Sequence, residues 1–438
     1  MFKNYKVNID KNHRPYVKLT FTANADTTVP VYYTKESFIA KKPDETISLK
    51  ANEQKTTIIN KPEIYRFEIC DYDPNTGKRI SANNNIISAK IEGTILDGYR
   101  LFDHATSITE FDVSKMDTSK MTSMSTMFQF CPKLTTLDVT NFDTSKVTDM
   151  SFMFFGCESL TSLDLSNFNT SNVTNMIAMF GVDTSSSLTT LNIYNFNTSN
   201  VTNMSSMFQC CSKLTTLDLS NFDTSNVTDM SWMFGGCSGL TTLDVSKFDT
   251  SNVTDMGSMF GGCSGLTTLD VSKWNVSNVT DFGYMFQEGN WEYLDVSKWD
   301  TSKATSMHAM FRDCPKLDNL AVSHFNTSNV QDMYGMFNRD TSLTKLDLSK
   351  WDISKLIHNA NYYGIHWLVE SCSNLTTVGD ISKWNISGVG ACRAFAGCPK
   401  LTTLGPIDTS SEWQTAPGNT GEMFADSPIS PLPVWYKK

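Results

Sequence analysis

The sequence predicts a mainly β protein with short helices: a β-sandwich-like N-terminal domain followed by a right-handed solenoid of about 12–13 coils with a 26-residue period. Two observations carry this. Met-Phe pairs begin at Met127, Met153, Met179, Met207, Met233, Met259, Met285, Met310 and Met336, and weaker copies stand at Leu101, Leu368, Ala394 and Met423. A fixed period of ~20 to 50 residues marks supersecondary units that must stack to bury a face. Residues 1–93, by contrast, do not repeat and hold several β-type runs. The organisation that follows is 1–93, a β-rich capping or attachment domain; 94–427, the solenoid; and 428–438, a Pro-rich cap or tail.

In chain order, the first domain offers runs at Tyr5 to Ile9, Tyr16 to Thr22, Val29 to Tyr33, Thr46 to Leu49, Thr56 to Ile59, Tyr65 to Cys70 and Ile86 to Ile91. Alternation in VKLTFT and YRFEIC places one face of a sheet in a core, and turn residues such as Asp73-Pro74-Asn75-Thr76-Gly77 separate the runs. Two packed sheets are the economical arrangement.

The unit from Met233 to Ser258 reads MFGGCSGLTTLDVSKFDTSNVTDMGS. Leu240, Leu243 and Val245 form L-x-x-L-x-V, the short strand of a leucine-rich repeat, and Val253 to Met256 is a second extended piece. Asp249 to Asn252 has the side chains that turn a chain, and Met256 to Cys263, apolar at three-and-four spacing, predicts a helical turn or short helix. Stacking coils would align equivalent residues in columns. One such column is aromatic, running from Phe142 and Phe168 to Trp351 and Trp384. Pro428, Pro431 and Pro433 cannot continue a ladder and close the far end.

Over about residues 95 to 430 this unit resembles the BspA-type bacterial leucine-rich-repeat family, whose repeats read MF-x-x-C-x-x-L-T-x-L-D-L-S-x-F-D-T-S-N-V-T-D-M. The resemblance implies a leucine-rich-repeat solenoid and a surface protein that adheres to host or matrix components, with no catalytic motif to carry over.

The largest break in period falls between Met336 and Leu368, where an insertion brings His358, Tyr362, Tyr363, His366 and Trp367. Insertions in repeat arrays map to loops on one face, often a binding face, so these five are binding candidates. A second set is the outward Asp series Asp138, Asp164, Asp218, Asp244, Asp270 and Asp295, which would suit a basic partner or, as oxygen donors, calcium. No EF-hand or Gly-rich nonapeptide accompanies it, and the expected cofactor set is none. Eight Cys residues recur at one inward position, from Cys131 to Cys398, and read as buried free thiols, a pattern that fits folding in a reducing compartment. The six His residues read as scattered over the repeat, with no nucleophile beside them, so no enzyme is expected.

Net charge is −10, with 16 basic and 12 acidic side chains in residues 1–100 against 20 and 34 in the rest. Such a balance disfavours nucleic acid and anionic lipid. No run of ~18 apolar residues is present, and neither a secretory signal nor an anchor is recognisable, so no membrane insertion is expected. The expected function is recognition or adhesion at a cell surface, with protein or polysaccharide as partner. The alternative is a phage virion component, a fibre or decoration protein needing no export signal, whose residues 1–93 dock on capsid or tail. An intracellular scaffold ranks third.

Overall fold

The computed structural model describes residues 16–39, 41–67, 70–72, 79–82, 85–356, 364–407, 413, 421–433 and 435–436. The chain forms two compact units, 1–214 with 221–223 and 215–220 with 224–438. Among the described residues it is mainly β with almost no helix, and its sheets do not close into a barrel.

In the first unit, β1 (Val17–Ala23) alternates buried and half-buried residues along its length, with Val17, Leu19 and Phe21 fully buried. Then come β2 (Thr27–Tyr32), the single-turn α1 (Lys35–Ile39), β3 (Glu45–Leu49), β4 (Gln54–Ile59), β5 (Glu63–Ile64) and β6 (Arg66–Phe67). They are followed by β7 (Cys70–Tyr72), β8 (Arg79–Ala82), β9 (Ile86–Ile95) and β10 (Glu110–Asp117). One sheet runs β10-β9-β1-β4, with β5 on β9; a second runs β3-β2-β6; β7 and β8 pair as a hairpin. Phe21 and Phe67, with ring centroids 5.5 Å apart, join the two larger sheets. The expected run Tyr5 to Ile9 lies outside the described residues.

The sheet does not stop at residue 93. β9 carries on to Ile95 and pairs in parallel with β10, which belongs to the first repeat, so Phe111 lies opposite Ala89. Below it the Phe102 ring touches Phe67 at 5.7 Å and Phe128 at 5.0 Å. Arg66, 2% exposed, is held by Asp97 at 3.2 Å. The first repeat therefore completes the core of the sheet domain. Farther along this unit β11 (Ser162–Asp164) and β12 (Thr190–Asn192) pair in parallel, in the L-x-x-L-x-V segments of successive repeats.

The repeats of the second unit stack through a hydrogen-bond pattern the sequence did not predict. The segment from Met256 to Cys263, expected as a helical turn or short helix, is instead a run of tight turns. Met259 N–H bonds the Met256 carbonyl at 3.1 Å and Gly261 N–H bonds Ser258 at 3.1 Å, while the intervening Ser258, Phe260 and Gly262 donate to Gly283, Met285 and Gln287 of the next coil at 2.7–2.9 Å. A helix would keep all these bonds within the segment. Here every second N–H leaves it, and left-handed backbone at Ser258 (φ 55°) and Gly262 (φ 74°) rotates those groups outward. The left-handed residue recurs one position before the Met-Phe pair, at Trp232, Tyr284 and Ala309 among others. Such a conformation costs about 1 kcal/mol or more for a residue with a side chain. The bond made there to the next coil, 2.8 Å for Trp232 N–H to Gly257, offsets it.

Side chains fill the space between coils in register. Phe234, Phe260, Phe286, Phe311 and Phe337 are buried, and the pairs measured from Phe260 onward stack at 5.6–6.0 Å. A second aromatic column pairs Phe248 with Trp274 at 6.4 Å and Phe325 with Trp351 at 6.4 Å; the Trp274 and Trp351 indoles also donate to carbonyls of the preceding coil. The inward Cys residues are buried, and thiols among them donate to a carbonyl of the preceding coil, as Cys263 does to Phe234 at 3.1 Å, Cys314 to Phe286 at 3.2 Å and Cys398 to Val369 at 3.0 Å. Burial pushes the Cys263 thiol up to about 12.

Asp340 occupies this Cys position in its coil. It is fully buried; one carboxyl oxygen accepts the Cys314 N–H at 2.8 Å and the other has no partner. Burial, reinforced by the charge of Asp313, pushes its carboxyl well above the usual range. A carboxyl that holds its proton more tightly when folded contributes fully below the ordinary carboxylate range, and that contribution is lost as pH rises through the raised value. Asp340→Cys, which restores the column, should therefore gain stability relative to the wild type as pH rises from about 4 to about 8. Denaturation midpoints across that range check it; parallel curves would contradict the account.

Candidate functional site

Two surfaces of the second unit gather polar side chains. The first is the face of the L-T-T-L-D-V-S segments. There the Asp carboxylates point outward as expected, and each is already engaged with the residue two places on. Asp244 Oδ1 accepts the Ser246 N–H at 3.0 Å and its hydroxyl at 2.7 Å; Asp270 does the same with Ser272 at 3.1 and 2.6 Å, and Asp295 with Ser297 at 3.1 and 2.6 Å. Asp218 accepts from Ser220 at 2.9 Å and is likewise exposed. The bonds from Ser246, Ser272 and Ser297, hydroxyl first, hold their partners' carboxyls below the usual range. These Asp residues therefore stay charged while bracing the turn, with one oxygen left facing water.

Asp244, Asp270 and Asp295 share a shallow groove of about 640 Å³ with Thr242, Thr268 and Tyr293. Tyr293 is 59% exposed, a large ring standing in solvent beside a row of hydroxyls and carboxylates. The remaining two of the Asp series, Asp138 and Asp164, lie in the first unit. They line a comparable groove of about 560 Å³ with Glu110 and Asp112 and make the same turn bonds to Thr140 and Ser166.

The second surface is a cleft of about 670 Å³ formed by four consecutive coils. Its floor comes from the second extended piece of each repeat, where parallel bridges run from Asp255 through Asp281 and Ser306 to Asp332. Asp281 and Asp332 accept N–H groups two residues on, at 2.7 and 2.9 Å. Burial first, then Asp281 and Asp229 alongside, push the Asp255 carboxyl up. Ser306 replaces Asp in this row, and its hydroxyl meets His308 Nδ1 at 2.6 Å. The walls are aromatic. Tyr284 meets His308 edge-on with centroids 4.4 Å apart, and Tyr334 meets Trp367 at 5.0 Å. A Cβ on Gly283 would stand 2.3 Å from His308 Cε1, so that glycine makes room for the imidazole.

Of the insertion candidates, His366 is buried and Trp367 half-exposed, and both border this cleft. His358, Tyr362 and Tyr363 lie outside the described residues. Reading the His residues as scattered missed a regularity. His308 and His366 each stand two places before a Met310 or Leu368 phase point, and Tyr334 holds the same place before Met336. In the four preceding repeats this position is Ser205, Ser231, Gly257 and Gly283. Three large side chains in a row after four repeats that carry Ser or Gly were the available signal.

Among the described residues no three His, Cys, Asp or Glu side chains are placed to hold a metal ion, and no helix is long and apolar enough to cross a membrane. Residues 97–216, 182–292 and 288–400 each match the family described as "Mycoplasma protein of unknown function, DUF285", which together is more than half of the chain. No curated protein matches it.

Proposed function

The chain belongs to the DUF285 family of Mycoplasma proteins of unknown function, and from this premise we propose that it is a non-enzymatic recognition protein displayed on a surface. Its repeats form a leucine-rich-repeat solenoid whose outward face binds cell-surface protein or polysaccharide. The observation that carries this reading is the groove holding Asp244, Asp270, Asp295 and the 59% exposed Tyr293. An aromatic ring with a polar tip, left in water beside fixed acceptors, is the chemistry of an adhesive surface. The shallowness of the groove suits an extended ligand more than a reaction that must exclude water. The resemblance of the repeat to the BspA-type family adds adhesion as the task.

The test is proteolytic shaving of intact source cells, followed by mass spectrometry of the released peptides beside cytosol and purified phage particles. Peptides from residues 97–400 should be enriched in the shaved fraction. Recovery with particles would replace the cell surface by a virion surface, and recovery only from cytosol would overturn surface display altogether.

A further inference from the structure

We propose that the cleft between Tyr284 and Trp367 is a binding site for a neutral saccharide ring, a site separate from the Thr-Asp groove. The inference rests on the reading of the chain as a recognition protein and names the ligand class of one of its surfaces.

A pyranose carries C–H groups on a face and hydroxyls around its edge, and each hydroxyl both donates and accepts. A site for it needs an aromatic face in contact with solvent, ringed by donors and acceptors not spent on the protein itself. The cleft has both. Trp367 borders the cleft half-buried, its ring tilted 41° against that of Tyr334. Around it, the Gln331 carboxamide and the Tyr284 hydroxyl have no hydrogen-bond partner among the described residues. Asp281 uses Oδ1 for the Gly283 N–H and leaves Oδ2 open, and His308 uses Nδ1 for Ser306 and leaves Nε2 open. The carboxamide and the phenol each donate and accept, the carboxylate accepts, and the imidazole can do either. A volume of about 670 Å³ lies in the range of small-ligand sites.

The mixture decides between ligand classes. A quaternary ammonium would be held by aromatic faces and carboxylates alone and has no use for the amide, phenol and imidazole donors. An acidic sugar would meet Asp281 and Asp332 at the floor. Neutral hydroxyls satisfy every open group. The backbone supports a preformed site: Tyr284 and Trp367 sit at φ 57° and 58°, and their N–H groups are tied to His308 and Cys392 of the next coils at 2.8 and 3.0 Å.

Saturation-transfer NMR on the full chain tests this with methyl α-mannopyranoside, methyl β-galactopyranoside and N-acetylglucosamine as probes, and choline and N-acetylneuraminic acid beside them. Transfer to at least one neutral sugar is expected, strongest at the C–H protons of one ring face. Trp367→Ala and Gln331→Ala should each weaken the affinity by about tenfold or more. Trp232→Ala removes an exposed indole at the same repeat position outside the cleft and should change nothing. Because the Gln331 side chain is half-exposed and unbonded, its removal leaves the fold intact even if Trp367→Ala does not. No transfer to any neutral sugar, transfer to choline alone, or transfer that survives Gln331→Ala overturns the proposal. Surface shaving is independent of this outcome: a displayed chain that ignores these sugars sinks the cleft alone, while a cytosolic chain sinks the recognition reading whatever the cleft binds.

Discussion

Phe260→Ala should cost about 3–5 kcal/mol, the range for deleting a fully buried Phe side chain. Phe260 is inaccessible to solvent and stacks on Phe234 at 5.6 Å and Phe286 at 6.0 Å, with Trp274 at 6.0 Å and Trp291 at 6.5 Å around its edge. Removing the ring empties a site whose neighbours are fixed by their own coil-to-coil bonds, so little collapse can fill it. In an array each coil is stabilised chiefly by its neighbours, and a fault in one interface weakens the coupling across it. The chemical-denaturation midpoint should fall and the transition broaden or split. Trp232→Ala, at 45% exposure, is the control and should shift the midpoint little. A loss below about 1 kcal/mol for Phe260→Ala would mean that the Phe column does not hold the coils together.

Thr327→Val should cost about 2–4 kcal/mol although it barely changes the volume, because two backbone groups lose the only bond they make among the described residues. Thr327 is 1% exposed; its hydroxyl donates to the Asp352 carbonyl at 2.8 Å and accepts the Asp352 N–H at 2.8 Å. The same reciprocal pair links Thr301 to Asn326, and in the first unit Thr144 to Asn169 and Thr170 to Asn197. In these coils one hydroxyl thus does what a strand would do by ladder pairing, whereas Val276, Ile353 and Ile386 hold the position in three others. Thr327→Ser keeps both bonds and loses only a methyl, so it should cost less than the valine. If serine proves as damaging as valine in denaturation midpoints, the column acts by packing and the hydrogen-bond account is wrong.

The contrast between these two columns shows what a sequence exposes. Phe260 was legible because an apolar residue returning every 26 positions has one physical explanation, a shared core. Thr327 was not, because Thr inside N-T-S-N reads equally as a turn residue. Only the approach of the next coil's backbone turns its hydroxyl into a link. The same holds for Met256 to Cys263. Apolar spacing of three and four satisfies a helix and a run of tight turns alike, and the choice fell to the neighbouring coil, which offers carbonyls to Ser258, Phe260 and Gly262. Glycine marks only some of the left-handed positions, as at Gly236 and Gly262, since Ser258, Tyr284 and Trp367 adopt them under the same demand.

The sequence by itself determined the period, the inward Phe and Cys columns, the outward Asp series and most strands of the N-terminal sheet, all of which follow from hydrophobic periodicity along a single chain. Tertiary structure alone decided that the first repeat joins that sheet through β10, that turns rather than helices carry the coil-to-coil bonds, and that Tyr284, His308, Gln331, Tyr334 and Trp367 meet in one cleft. These depend on side chains and backbone groups brought together from successive coils. Such contacts have no signature within any one repeat.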